Sequence, residues 1–356
     1  MTSRERFLAS VSHTQPDRVP IGLRFSPELT VKIKQSLGFK DDRELLDWAG
    51  CDLRTVRPKF RRPASDRQYA DPTIEITPDG LHLDIYRVPF RLVQTTFQSY
   101  MEPAGPPPLA QLQSIGELDG WPWPGPELWD FSGIASDLQT HRDRATWGRS
   151  RGVFEICCLL RGMDQFMIDL ALDPGFAAAL LDRVADGLLE LARQTLAAGG
   201  GAYAFYEYND DIGSQRTLMM SPRMWREFIK PRMASFCTLI HAFGAKVRYH
   251  SCGSIRPVIP DLIEIGVDIL NPIQPLARDM EPVSLKAEFG DHLCFDGGID
   301  TQHLLPAGTP GEVRAEVRRM IDNVGRNGGY ILAGSHTLQA DVPVANLVAL
   351  VEEAVK

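Results

Sequence analysis

A chain of 356 residues, 44% hydrophobic and 24% charged, has the proportions of a folded protein with a large core. Its formal net charge of −8, with both signs mixed along the sequence, leaves no basic stripe, which argues against nucleic acid or an anionic membrane as partner. No apolar run approaches the roughly 18 residues a membrane span requires, and the opening Met-Thr-Ser-Arg-Glu-Arg has no apolar stretch behind its charges, so a cytoplasmic location is expected.

Residues 1–19 read as a helix, amphipathic over 4–11 and stopped by Gln15-Pro-Asp-Arg18, and a first strand is expected at 19–23. Residues 55–130 are rich in proline and aromatics, including Pro103-Ala-Gly-Pro-Pro-Pro108 and Trp121-Pro-Trp-Pro-Gly125. They read as turns, short hairpins and loops, with a substrate-facing cap among them. From about residue 150 short apolar runs alternate with long amphipathic stretches. Strands are expected at 154–160, 202–208, 246–250, 268–271, 293–296 and 330–333, and helices at 164–198, 222–241, 255–264 and 310–323. Six such strands plus one or two near the start approach eight, and no GxGxxG loop follows the first strand. The expected architecture is therefore a single-domain α/β (β/α)₈ TIM barrel over 1–356, in which 1–130 supplies an N-terminal extension, the first strand and capping loops, and 150–356 the regular βα units.

Parallel barrels carry their reactive groups at the C-terminal strand ends. Those ends read Glu207-Tyr-Asn-Asp-Asp211, His250-Ser-Cys-Gly253, Asn271-Pro-Ile-Gln274, Asp296-Gly-Gly-Ile-Asp300 and Gly334-Ser-His336. His250 and Cys252 are two apart, so an extended backbone turns both to one face, and imidazole nitrogen with thiolate sulfur suits zinc. An isolated His-x-Cys is more often a carbonyl-bonded core histidine beside a core cysteine; its place at a strand end before a glycine favours ligation. His336 is the first choice for a third ligand, with capping of its loop the alternative. Glu207 and Asp211 are candidates for ligation or for general acid–base work, and loop or N-cap hydrogen bonding is their structural alternative.

Asn271 and Gln274 are candidates to hydrogen-bond a substrate, although amides in such loops often hold backbone. Asp296 and Asp300 flank two glycines and either face the cavity or fix that turn. Arg161 is a candidate for an anionic substrate group or for an internal ion pair. The six cysteines include no CxxC pair, and most are expected to be small buried hydrophobes.

The segments Arg4-Glu-Arg-Phe-Leu, Pro16-Asp-Arg-Val-Pro20, Asp210-Asp-Ile-Gly-Ser-Gln215, Phe228-Ile-Lys-Pro-Arg232 after Pro222, and His250-Ser-Cys-Gly253 carry a resemblance. So do Leu262-Ile-Glu-Ile-Gly-Val-Asp268, Phe295-Asp-Gly-Gly-Ile-Asp300 and Gly328-Gly-Tyr-Ile-Leu-Ala333. Together they span nearly the whole chain, which resembles the uroporphyrinogen decarboxylase superfamily and specifically its methyltransferase-like branch. The resemblance implies a (β/α)₈ barrel with the active site in its C-terminal mouth. It also implies a zinc ion held by an HxC pair, here His250 and Cys252, and by a later cysteine whose position falls on His336. The decarboxylase itself fits less well, because of the arginines that serve a porphyrinogen's carboxylates only Arg24, in Pro20-Ile-Gly-Leu-Arg-Phe-Ser-Pro27, has a match.

The function so implied is a zinc-dependent methyltransferase moving a methyl group between a small O-, N- or S-methylated substrate and cobalamin. No DxHxxG signature is present, so the cobalamin is expected on a separate corrinoid protein. The alternatives are a uroporphyrinogen-type decarboxylase and a non-catalytic ligand- or partner-binding barrel. A homodimer is compatible with such a barrel.

Overall fold

The computed structural model describes residues 1–61 and 72–356. Seven strands form one parallel sheet whose spatial order follows the chain: β1 Leu53–Thr55, β2 Ala145–Arg151, β3 Phe205–Asn209, β4 Lys246–His250, β5 Ile269–Ile273, β6 Cys294–Ile299 and β7 Tyr330–Gly334. Helices separate β2 through β7, and the sheet curls. The segment expected as a first strand lies against both outer strands. Gly22 N–H donates to Leu332 O and Leu332 N–H to Pro20 O on the β7 side, while Asp52 N–H donates to Ile21 O beside β1. Only Ile21 forms a bridge with β7 there.

The sheet interior is layered. At the N-terminal end Phe7, from helix Ser3–Val11, stacks on Phe205, and Trp147 also lies parallel to Phe205 at 5.6 Å. This helix starts with a capping box between Thr2 and Glu5. Arg6 and Arg18 converge on buried Asp52 at 2.7 and 2.8 Å, and Arg6 also binds Asp17. That network gives the Arg6 and Pro16-Asp-Arg-Val-Pro20 segments a role in closing the base. Most outward-facing apolar residues pack under the helices into one large core.

Two expectations are corrected. Residues 154–160 belong to helix Val153–Arg161, not to a strand, and the second strand lies earlier, at Ala145–Arg151. A seven-residue apolar run has no decisive period. What starts the helix is Asp210, whose carboxylate accepts the Phe154 and Glu155 N–H groups from the loop after β3. Gly152 is required at that N-cap because a Cβ there would lie 2.1 Å from Asp210. The helix expected at 164–198 is in fact two, Met163–Leu172 and Pro174–Ala198, divided at Asp173-Pro174.

Within 55–130 the chain forms a four-stranded antiparallel sheet (Glu75–Ile76, His82–Leu83, Pro89–Gln94, Ser99–Pro103), and Lys59–Phe60 pairs with Trp129–Asp130. Residues 62–71 of that expectation lie outside the described residues. The small sheet is tied near the mouth by Asp84, 3.7 Å from Arg151 at the end of β2. Trp121 and Trp123 pack against the core. Among the described residues no helix is long and apolar enough to cross a membrane.

Candidate metal centre

Along β4 alternate side chains face opposite sides. Tyr249 turns outward beside Tyr208, which contacts Phe236 of helix Lys230–Ala242. Arg248 and His250 turn inward. In register with His250 across the sheet are Arg151, Asn209 and Asn271, so the strand ends form one polar rung.

Cys252 brings its Sγ to 3.9 Å from His250 Nε2. His336, in the loop after β7, stands edge-on to His250 with ring centroids 6.0 Å apart. One donor atom from each of the three residues lies within 4.8 Å of the others. Tetrahedral zinc bonded to nitrogen and sulfur needs donors about 3.5 Å apart, so small side-chain rotations close this set around an ion. The N, S, N chemistry fits zinc as well.

The second nitrogen of His250 supports the same reading. Nδ1 lies 2.6 Å from Asn271 Oδ1, and Arg24 Nη2 lies 3.0 Å from that same atom. A guanidinium can only donate, so the atom between them is the amide oxygen, Nδ1 carries the hydrogen, and the Nε2 lone pair faces Cys252 and His336. Burial lowers His250 to about 4 against the opposing pull of Glu207, which keeps it in the neutral, ligand-competent form. Partial desolvation also lowers His336, which is exposed to water. The Cys252 thiol is pushed up to about 12 by burial, and a neighbouring divalent cation would favour its thiolate. The other five cysteines are buried free thiols.

The loops that carry these donors interlock. Asp211 Oδ1 accepts the Cys252 N–H at 2.8 Å and lies 3.8 Å from His250 Nε2, with its side chain 45% exposed. Gln274 Oε1 accepts the Gly253 N–H and a Gln215 amide hydrogen. Gly253 has φ +83°, and a Cβ on it would lie 2.5 Å from Ser214 O; one on Gly213 would lie 2.6 Å from Cys252 O. A side chain at either position would displace the cysteine.

Below the donors is a charged layer. Arg149, Glu207 and Arg248 are in register on adjacent strands. Arg248 is buried over the Trp147 and Phe205 rings, donates to Asp296 Oδ2 at 2.9 Å and approaches Glu207 Oε2 at 2.7 Å. The second contact is an ion pair without hydrogen-bond alignment, and Arg248 Nε and Nη2 have no hydrogen-bond partner among the described residues. Burial alone would raise Glu207, but Arg248 and Arg24 hold it down at about 2, so it is an anion locked in place. Burial raises Asp296 despite Arg248.

Thus the structure brings His250, Cys252, His336, Asp211, Asn271 and Gln274 together, with Glu207 and Asp296 one layer deeper. Arg161 is elsewhere. It ends helix Val153–Arg161, binds Asp169 at 2.7 Å, lies over Phe176, and donates to the carbonyls of Leu109, Ala110 and Leu112, pinning the proline-rich extension. Asp300 accepts N–H groups from Gln302, His303 and Leu304 and fixes its own turn. Sequence reasoning passed over Arg248 and Arg149. The signal for Arg248 was present, since it shares the two-residue phase of His250 and Cys252; Arg149 lay in a strand whose pattern was not recognised.

A curled parallel sheet with polar strand ends over a charged interior defines an α/β fold of the kind enzymes use. The family model described as uroporphyrinogen decarboxylase (URO-D) matches residues 139–356, and the chain belongs to this family. Among solved structures it is similar to a methyltransferase from Methanosarcina mazei, with a TM-score of 0.70 and 16% identity over 99% of this chain and 98% of that one. At that identity the likeness is one of fold. The family match starts just before β2, whereas the fold match takes in the N-terminal extension as well. None of the curated proteins matches the chain.

Proposed function

We propose that this protein is a zinc-dependent methyltransferase that moves a methyl group between a small O-, N- or S-methylated substrate and cobalamin carried by a separate corrinoid protein. The observation that carries this reading is the N, S, N donor set of His250, Cys252 and His336, with the His250 tautomer set by Asn271. Membership of the uroporphyrinogen decarboxylase family and the fold likeness to a methyltransferase support it. In this reading the sheet and the segment around Ile21 form a closed (β/α)₈ barrel, and the enzyme works in the cytoplasm.

His250 Nε2, Cys252 Sγ and a His336 ring nitrogen would hold the zinc. Bound there, it supplies Lewis acidity toward the heteroatom that carries the methyl group, or toward an acceptor thiol. Asp211 would exchange a proton at its second carboxylate oxygen, a role supported by its half-exposed side chain beside the donors. Glu207, ionised and held by Arg248, balances the charge of Arg24 and Arg248 beneath the donors and is not placed to take up a proton. Asn271 and Gln274 hold the donor loops, and the mouth above them is where a corrinoid would dock.

The test has two parts. Purified protein is expected to hold one zinc per chain by elemental analysis, and to lose it in His250→Ala and Cys252→Ala. With methoxylated aromatics or methylamines as donors, it is expected to methylate cob(I)alamin. Zinc well below one per chain, unchanged in the variants, would overturn the metal site. Turnover of uroporphyrinogen without added metal would assign the decarboxylase reaction instead.

A further inference from the structure

Beside the donor set, between β1, β2, the segment after Ile21 and helix Asp42–Trp48, lies a cavity of about 390 Å³. Its charged lining is Arg24, Arg54, Arg57, Arg149, Arg248 and Asp42, and Trp147, Leu53 and Thr337 line it as well. Arg24 joins it to the donors, since the same guanidinium that lines the cavity binds Asn271, the partner of His250. Thr337 directly follows His336. One end of the cavity therefore adjoins the donor set.

The charges on this wall are unbalanced. Arg24, Arg149 and Arg248 stand against Glu207 and Asp296, and of the other charged lining residues Arg54 pairs with Asp47 and Asp42 with Lys34, so arginines outnumber carboxylates on this wall. Among the described residues no side chain makes a hydrogen bond or ion pair with the Arg149 guanidinium. Arg248, whose side chain is 2% exposed, has Nε and Nη2 without hydrogen-bond partners. Buried guanidinium donors are costly to leave unpaired, and a planar oxyanion satisfies them with two hydrogen bonds at once. An excess of arginine on the wall matches an anionic ligand group. The Trp147 ring and Leu53 add an apolar surface suited to a flat carbon skeleton.

We propose that this cavity is the carboxylate subsite of the substrate pocket, and that the methylated substrate is a small aromatic carboxylic acid held by Arg149 with Arg248. The carboxylate would sit at Arg149, the ring against Trp147, and the methylated heteroatom would point past Arg24 toward His250 and His336. This rests on the methyltransferase reading for the identity of the reacting group, whereas the carboxylate site itself is tested by binding alone.

The experiment measures binding of 4-methoxybenzoate and of its uncharged isostere 4-methoxybenzamide to the full chain by calorimetry, with no corrinoid present. The acid is expected to bind at least about tenfold more tightly than the amide. Arg149→Gln is expected to abolish that preference while leaving the thermal midpoint near that of the parent, because Arg149 holds no other element. Arg149→Lys, which keeps the charge without the planar fork, is expected to fall between the two. Equal affinity of acid and amide in the parent protein overturns the proposal whether or not the variants fold, and so does a preference that survives in Arg149→Gln. Inorganic phosphate competing as strongly as benzoate would also overturn it, in favour of a phosphate site. Acid preference without methyl transfer from any donor would leave the subsite standing and sink the methyltransferase reading; transfer from uncharged donors without acid preference would do the reverse.

Discussion

Replacing Asn271 isolates the part of the candidate metal centre that depends on His250 being held in one tautomer. Asn271 is buried, and its Oδ1 is the acceptor for both His250 Nδ1–H and Arg24. In Asn271→Leu the imidazole loses that acceptor, its ring is free to rotate, and the proton can move to Nε2, the nitrogen that should bind metal. Loss of such an outer partner typically weakens metal affinity by about 10–100-fold, or roughly 1.4–2.7 kcal/mol. Asn271→Asp should act in the opposite direction, because a carboxylate at the same distance makes His250 a stronger donor and still pairs with Arg24. Competition of each folded variant against a chromogenic zinc chelator at fixed pH gives the three dissociation constants, with a melting curve as the check on folding. The expected order is Asp tightest, parent next, Leu weakest. A leucine variant that holds zinc as tightly as the parent would refute the claim that this hydrogen bond prepares His250 as a ligand.

His336→Ala should lose most of the zinc affinity, whereas His336→Cys should retain it, since a thiolate there restores an ordinary zinc donor set; stoichiometry by elemental analysis decides. Arg248→Met leaves Asp296 buried without its ion-pair partner and Glu207 with only the more distant Arg24, which should cost about 3–5 kcal/mol and lower the melting temperature by several degrees. The sign of its pH dependence follows from Glu207. With Arg248 present its folded pKa is held at about 2, below the usual value, so its contribution is full at neutral pH and lost only as pH falls toward 2. With Arg248 gone only the more distant Arg24 opposes burial and Glu207 rises, so the variant's deficit should grow as pH rises from 5 to 8; a deficit constant over that window would contradict this. Arg161→Met should destabilise by a similar roughly 3–5 kcal/mol by stranding Asp169, while KM for any substrate the folded enzyme turns over stays unchanged.

The sequence revealed most where the two-residue and helical periods were undisturbed. Strand β4 at Lys246–His250 and helix Pro310–Asn323 lie where the pattern placed them, and β3, β5, β6 and β7 lie within a few residues of it. Strand β2 was hidden because its inward positions carry Arg149 and Arg151 where a barrel interior usually shows branched apolar residues. The neighbouring run 154–160 looked more like a strand, and the group that makes it a helix, Asp210, is more than fifty residues away in sequence. Arg161 misled for a related reason, since its three carbonyl partners lie near residue 110 and no local pattern announces them. His250, Cys252 and His336 were legible as a group because strand ends of a parallel sheet converge by topology, whatever their separation in the chain.

Position within the sheet also explains why charged side chains occupy its interior. Near the base, where Phe7, Trp147 and Phe205 stack, nothing but packing is needed and the layer is apolar. One layer higher, Glu207 and Asp296 flank Arg248, an arrangement that hydrophobic residues of equal volume would match or exceed in stability. Its value must therefore lie in what stands above it. Arg24 bridges Glu207 of this layer and Asn271 of the donor rung, so the anion below orients the guanidinium that, with His250, fixes the Asn271 amide. The same layer presents Arg149 and Arg248 to the cavity beside the donors. On this account charge in the interior positions both ends of a bound substrate, the donor set through Arg24 and Asn271 and the carboxylate through Arg149, so a substitution of Arg248, which holds Glu207 and lines the cavity, should alter metal affinity and acid preference together, whereas one in the apolar base should alter only stability.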